Sequence, residues 1–137
     1  MARAPILTLL SSIFATTFIA FGINAMLNPS SALSFFNWEY PVPTHNPNPN
    51  KRIIDGMLLI YGVRDIFMGV SMYVAAWYGH TRILGGIVMG ASAVAFADGW
   101  VCRVVNVGML DSGEWNHWGN APVVGLVGGL LVGGMDW

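Results

Sequence analysis

The chain has 137 residues, 55% of them hydrophobic and only 9% charged, against about a quarter charged in an ordinary soluble domain. Its mean hydropathy is +0.58, its formal net charge is -1 and its pI is near 6.2. These values exclude a water-soluble globule and leave no basic field for nucleic acid, since the Lys and Arg residues are scattered rather than patched. The expectation is an integral membrane protein, located in the endoplasmic reticulum and embracing residues 1–137 as one domain.

The lone cysteine, Cys102, excludes an internal disulfide and supplies no thiolate cluster. It reads as a helix-packing residue, and neither a metal nor a cofactor is expected.

Apolar runs over residues 6–27, 53–77, 83–105 and 121–135 predict an all-α fold, a bundle of four transmembrane helices. Each of the first three is long enough for a hydrocarbon core of ~30 Å at 1.5 Å per residue. Run 6–27, preceded by Arg3, has the flanks of a signal peptide, with Ile23-Asn24-Ala25 imitating a cleavage site. It is longer than a usual signal core, so a retained first helix is expected. Asn24 is its most notable polar residue, and Asn28-Pro29-Ser30 is expected to stop it.

Residues 31–52 form a long connection that starts with Phe35, Phe36, Trp38 and Tyr40 and continues as a Pro/Asn-rich loop. Aromatics of this kind suit the headgroup level, and the Pro-rich tract suits extended chain. The connection 78–82 is tight, which makes the second and third helices antiparallel neighbours. A further loop over 106–120 carries Asp111, Glu114, Trp115, His117 and Trp118 on the same side as the Pro-rich loop, so both are expected to roof one pocket. In the last run Gly125, Gly129 and Gly133 repeat every fourth residue, which fits close helix packing or a homodimer seam. Arg3 and Arg82 on one side oppose Lys51 and Arg52 on the other, a weak basis for orientation that leans toward cytosolic termini.

The run 53–77 carries Arg64 and Asp65 near its middle, where a charge costs about 2.5 to 3.5 kcal/mol unless it faces protein or trapped water. Counting from the tight turn puts these two roughly 20 Å, and Asp98 about 24 Å, along their helices, which makes them nearly level. Two carboxylates beside one guanidinium divide into an acid and a base, because like charges in low dielectric do not both remain ionised. With a water between them, Asp65, Asp98 and Arg64 have the means to open a strained ether such as an epoxide. Tyr61 lies one turn before Arg64 on the same face and is expected to bond the reacting oxygen.

Asn24, Met68, His117, Arg103 and Asp55 complete the expected substrate-binding set. Asp55 and Arg103 are expected to pair at about 31 to 34 Å near the far interface. His45 and His80 are read as solvated or interfacial. Against catalysis stands an interhelical ion pair between Arg64 and Asp98, with Asp65 bonded to Asn24 or a hydroxyl. A proton-coupled small transporter or channel is the other alternative, alternating access being disfavoured by the lack of an inverted repeat.

The motifs Gly62-Val63-Arg64-Asp65 and Ala97-Asp98-Gly99 resemble a family of small fungal four-helix membrane proteins, largely uncharacterised. Similar members are associated with polyketide clusters for polyene pyrones related to aurovertin and citreoviridin. That resemblance implies hydrolysis of an epoxide, or epoxide-opening ether formation, on a lipophilic polyketide. The Asp, Arg, Asp trio also resembles the site logic of soluble limonene epoxide hydrolase, as analogy alone.

Overall fold

The computed structural model describes residues 3–41, 49–107 and 113–134, all of them in helices, turns or short connections without a strand. The helices are α1 (Arg3–Leu27), α2 (Pro29–Ser34), α3 (Pro49–Trp77), α4 (Thr81–Val105), α5 (Trp115–Trp118) and α6 (Ala121–Val132). The long helices agree with the apolar runs to within four residues at each described end. The Pro-rich tract over 42–48, with His45, and residue Asp111 lie outside the described residues.

Two connecting segments expected to be irregular contain short helices. Pro29 does end α1, because it has no N–H to continue the ladder and it forces Asn28 to φ -131° and ψ 69°. The same ring then opens α2, since its fixed φ suits a first helical turn. Between α3 and α4, Gly79 at φ +69° closes a Schellman turn: its N–H donates to the Ala76 carbonyl at 3.1 Å, and that of His80 to Ala75 at 3.1 Å. This turn sets α3 and α4 antiparallel.

Small residues set the main helix pairs. A Cβ on Gly69 would meet the Ala15 carbonyl oxygen at 2.5 Å, and one on Gly22 would meet that of Gly62 at 2.5 Å, so the α1 and α3 backbones nearly touch. Likewise a Cβ on Gly85 would meet the Gly128 carbonyl oxygen of α6 at 2.7 Å. Where lipid-like surroundings supply no hydrophobic drive between helices, close backbone approach supplies the dispersion contacts instead. Gly125 serves this internal α4–α6 seam through Ser92, whereas a Cβ on Gly129 would meet nothing within 4 Å. A homodimer seam along the glycine repeat would therefore rest on Gly129 and Gly133.

The packed core occupies the end nearest the α3–α4 turn, where Met72, Leu84, Val88, Ala91, Val127 and Leu131 are buried together. A smaller cluster of Ala25, Ala32, Leu33 and Leu58 seats α2 on α1 and α3. Outward faces carry large apolar side chains on every long helix, among them Leu9, Leu27, Phe67, Trp77, Phe96 and Leu126. Monomeric soluble proteins seldom expose such continuous apolar surface.

Residues 5–27 and 81–105 are long and apolar enough to cross a membrane. The expectation for 121–135 changes, because α6 has 12 residues and reaches only about 18 Å. Among the described residues α1 and α4 are thus the two of the four expected spans that meet the length and composition needed; the 29-residue α3, with Arg64 and Asp65 at its middle, and the short α6 are not among them.

Replacing Gly69 by Ala should drive α1 from α3 and cost about 1–3 kcal/mol, read as a lower unfolding temperature in detergent. Gly56→Ala, where nothing lies within 4 Å, should leave stability unchanged or raise it by up to about 1 kcal/mol.

Candidate functional site

Beyond the packed end, α3 and α4 are joined by ionic contacts. The Arg64 guanidinium donates in bidentate fashion to Asp98, at 3.3 Å to Oδ1 and 2.9 Å to Oδ2. Its Nε also donates to Asp65 Oδ1 at 3.2 Å. The guanidinium carbon lies 4.3 Å from the Tyr61 ring centroid, close enough for a cation–π contact. The Asp65 carboxyl is 2% exposed and that of Asp98 18%, and the one guanidinium bonds both. The expected convergence of Asp65, Asp98, Arg64 and Tyr61 is present.

Of these residues Tyr61, Asp65 and Asp98 line a cavity of about 530 Å³ bordered by α1, α3, α4 and α6, and Arg64 is not among its lining residues. Tyr61 and Asp65 of α3 face Ala95 and Asp98 of α4 along one wall, and Asn24 lines it from α1. The opposite side is apolar, with Phe14, Phe18 and Phe21 from α1 and Val123 and Val124 from α6. Sequence reasoning passed over these three phenylalanines, although their spacing of four and then three residues puts them on one helical face.

The two long connections roof the cavity together, as expected for their described parts. Trp38 Nε1 donates to Asn106 Oδ1 at 2.9 Å, and Asn106 Nδ2 donates to the Phe36 carbonyl at 3.0 Å. Asn116 Nδ2 donates to the Phe35 carbonyl at 3.0 Å. Phe36 packs against Trp38 at 5.1 Å, Tyr61 at 5.4 Å and His117 at 4.9 Å between ring centroids. Gly99, directly after Asp98, gives Trp118 room to lie on α4, where its Nε1 donates to the Phe96 carbonyl at 3.0 Å.

His117 lines the cavity, and its Nε2 is buried without a hydrogen-bond partner. Burial pushes its proton affinity below the ordinary value, with Arg64 adding to the effect and Asp98 opposing it. The imidazole is therefore neutral at pH 7.

Three expected residues stand elsewhere. Asp55 does not pair with Arg103: it takes Lys51 at 2.7 Å and the Tyr40 hydroxyl at 2.5 Å. An i,i+4 neighbour on its own helix is nearer than a residue across the bundle. Arg103 is exposed beside Trp118, 5.9 Å from the ring, and neither it nor Asp55 lines the cavity. Met68 packs on the buried core at the closed end. Asn24 donates to Ser31 Oγ at 3.2 Å rather than to Asp65. Among the described residues no group of three or more His, Cys, Asp or Glu is arranged to hold a metal ion.

Because the folded state binds a proton at His117 less readily than the unfolded chain, unfolding takes up protons there. Stability should thus fall as pH is lowered through the ordinary His value of about 6.5, levelling off below the depressed folded value. His117→Gln should flatten that portion of a pH series of unfolding temperatures.

No curated protein and no solved structure matches the chain. A family described as a domain of unknown function, DUF4267, matches residues 15–131, from the first half of α1 to the last turn of α6. The chain belongs to that family.

Proposed function

We propose that this protein is a membrane-embedded acid–base enzyme that opens the epoxide of a lipophilic substrate, by hydrolysis or by internal ether formation. The observation that carries the reading is one guanidinium shared by two carboxylates, both lining a cavity that is otherwise largely apolar. In this reading α1, α3, α4 and the shorter α6 are embedded in the endoplasmic reticulum membrane, with their exposed apolar faces in lipid. The resemblance noted for the G-x-R-D and A-D-G motifs makes a polyketide epoxide the favoured substrate.

The triad is neutral overall when its two carboxyls hold one proton between them. Asp98 is assigned as the carboxylate, since bidentate pairing with Arg64 favours the ionised form, and Asp65 as the acid. Asp98 takes a proton from water, or from a hydroxyl of the substrate, as that oxygen bonds to an epoxide carbon. The carbon–oxygen bond breaks and Asp65 delivers its proton to the departing oxygen. Hydrolysis adds one water, cyclisation adds none, and the pair ends with its proton on the other carboxyl. In this reading Tyr61, which lines the cavity, donates to the same oxygen, and Arg64 holds the carboxyls in register.

The bidentate pair also favours a second reading, in which Arg64 and Asp98 only lock α3 to α4. Asp98→Asn and Asp65→Asn should each lower turnover of a polyene epoxide by about 10²-fold or more, by product mass spectrometry in microsomes, with the protein still folded. Full activity in either variant would overturn the catalytic assignment. Loss of folding in Asp98→Asn, restored by the double replacement Arg64→Met with Asp98→Leu, would establish the lock. Proton flux in liposomes would instead reveal a transporter.

A further inference from the structure

The cavity is closed at its polar end and open at its apolar one. Its charged wall lies inside the bundle, where Asp65 is buried and Tyr61 and Asp98 are only partly exposed. Its exposed apolar lining residues are Ile13 and Phe21 of α1, Val123 of α6, and Phe35 and Trp115 at the roof, with Thr17, Asn116 and Asn120 as the exposed polar ones. We infer that a single-chain amphiphile enters sideways from lipid between α1 and α6, oxygen function first, leaving its apolar tail in that gap. This inference rests on the membrane setting proposed above and names the substrate class and route for the same cavity.

Several features favour the side over the top. The described part of the roof is tied to the bundle through Asn106, which takes Trp38 and holds the Phe36 carbonyl. The α3–α4 wall is bridged by Arg64. The gap between α1 and α6 carries no such tie among the described residues. Its polar member, Thr17, returns its hydroxyl to the Ile13 carbonyl at 3.0 Å and so offers a methyl to a passing chain. Asn116, tied to the Phe35 carbonyl, and Asn120 also line the cavity. A cavity of about 530 Å³ is in the usual range for one small molecule, and its lining runs from apolar at the gap to ionic at the floor. An apolar tail buried in the gap leaves lipid for lipid-like surroundings, while the oxygen head gains donors at the floor.

The test uses the full chain in phosphatidylcholine vesicles with a long-chain alcohol carrying a diazirine in mid-tail. Photolysis followed by peptide mass spectrometry should place labels on the cavity face of α1 between Ile13 and Phe21 and around Val123. The same chain without the hydroxyl should label there several-fold less. Val123→Trp should also cut the labelling several-fold, whereas Val63→Trp, on the exposed outer face of α3, should not. Labels spread evenly over the outer helix faces, or labelling indifferent to both the hydroxyl and Val123→Trp, would overturn lateral entry. Portal labelling without epoxide turnover would leave the route standing and remove the reaction. Turnover with an unchanged KM in Val123→Trp would do the reverse.

Discussion

The guanidinium of Arg64 is the contact on which the open half of the bundle depends. At the turn end, α3 and α4 are held by buried Met72, Leu84, Val88 and Ala91. At the level of the cavity that filling is missing by construction, because the space between the helices is hollow. Ionic pairing replaces packing there, and the same guanidinium bonds the Asp65 carboxyl, which is almost wholly withdrawn from solvent. Removing Arg64 alone would leave the partly buried Asp98 without its counter-ion and Asp65 without a hydrogen-bond donor, and so would disturb more than one pair. The hollow and the clamp therefore belong to one arrangement: the cavity demands a directional tie, and the tie fixes two carboxyls at its wall.

The two short motifs divide their labour between backbone and side chain. In Gly62-Val63-Arg64-Asp65 the glycine lets α1 approach to backbone contact at Gly22, Val63 points outward, and the charged pair turns to the cavity and the seam. In Ala97-Asp98-Gly99 the carboxylate meets Arg64, and the glycine beside it accepts the Trp118 indole. Each motif thus couples a charge to a close approach that fixes its depth. Enlarging either glycine would displace a neighbour and carry the adjacent charge with it, which links the packing of α1 and α5 to the geometry of the triad.

Much of this was legible in the sequence, for identifiable reasons. The apolar runs located the long helices, and the count from the tight turn at Gly79 levelled Arg64 with Asp98 because helical rise is uniform. That reasoning failed for Asp55 and Arg103, which are also level. Depth along an axis says nothing of the rotation about it, and Lys51 and Tyr40 offered Asp55 nearer partners. Met68 failed for the same reason, since its face of α3 meets the packed end. The phenylalanine stripe of α1 was hidden among apolar residues on all sides of that helix, so no period set the cavity-facing Phe14, Phe18 and Phe21 apart. Pro29 was read as a stop and proved to be a stop and a start, because a ring that ends one helix is preorganised to begin another.

The roof bears on which of the two proposed reactions the cavity serves. Charges in a low-dielectric hollow act on a substrate more strongly than in water, and the Trp38, Asn106 and Phe36 ties brace the described part of the roof over it. Hydrolysis would need water to reach the carboxylate past that roof, along Asn24, Asn116 and Asn120, which line the cavity and offer hydrogen bonds to a water file. Cyclisation needs no such path, because the nucleophile arrives with the substrate. The same asparagines would bind hydroxyls along a polyol chain, so their polarity serves either outcome. What separates the two is the position of the attacking oxygen relative to Asp98: a substrate hydroxyl must fold back toward the floor, and the Phe14, Phe18 and Phe36 surfaces narrow the space for that fold. Under the proposed reaction, ring formation would be governed by the shape of the aromatic wall and hydrolysis by the asparagine edge, and α1 contributes to both through Phe14, Phe18 and Asn24.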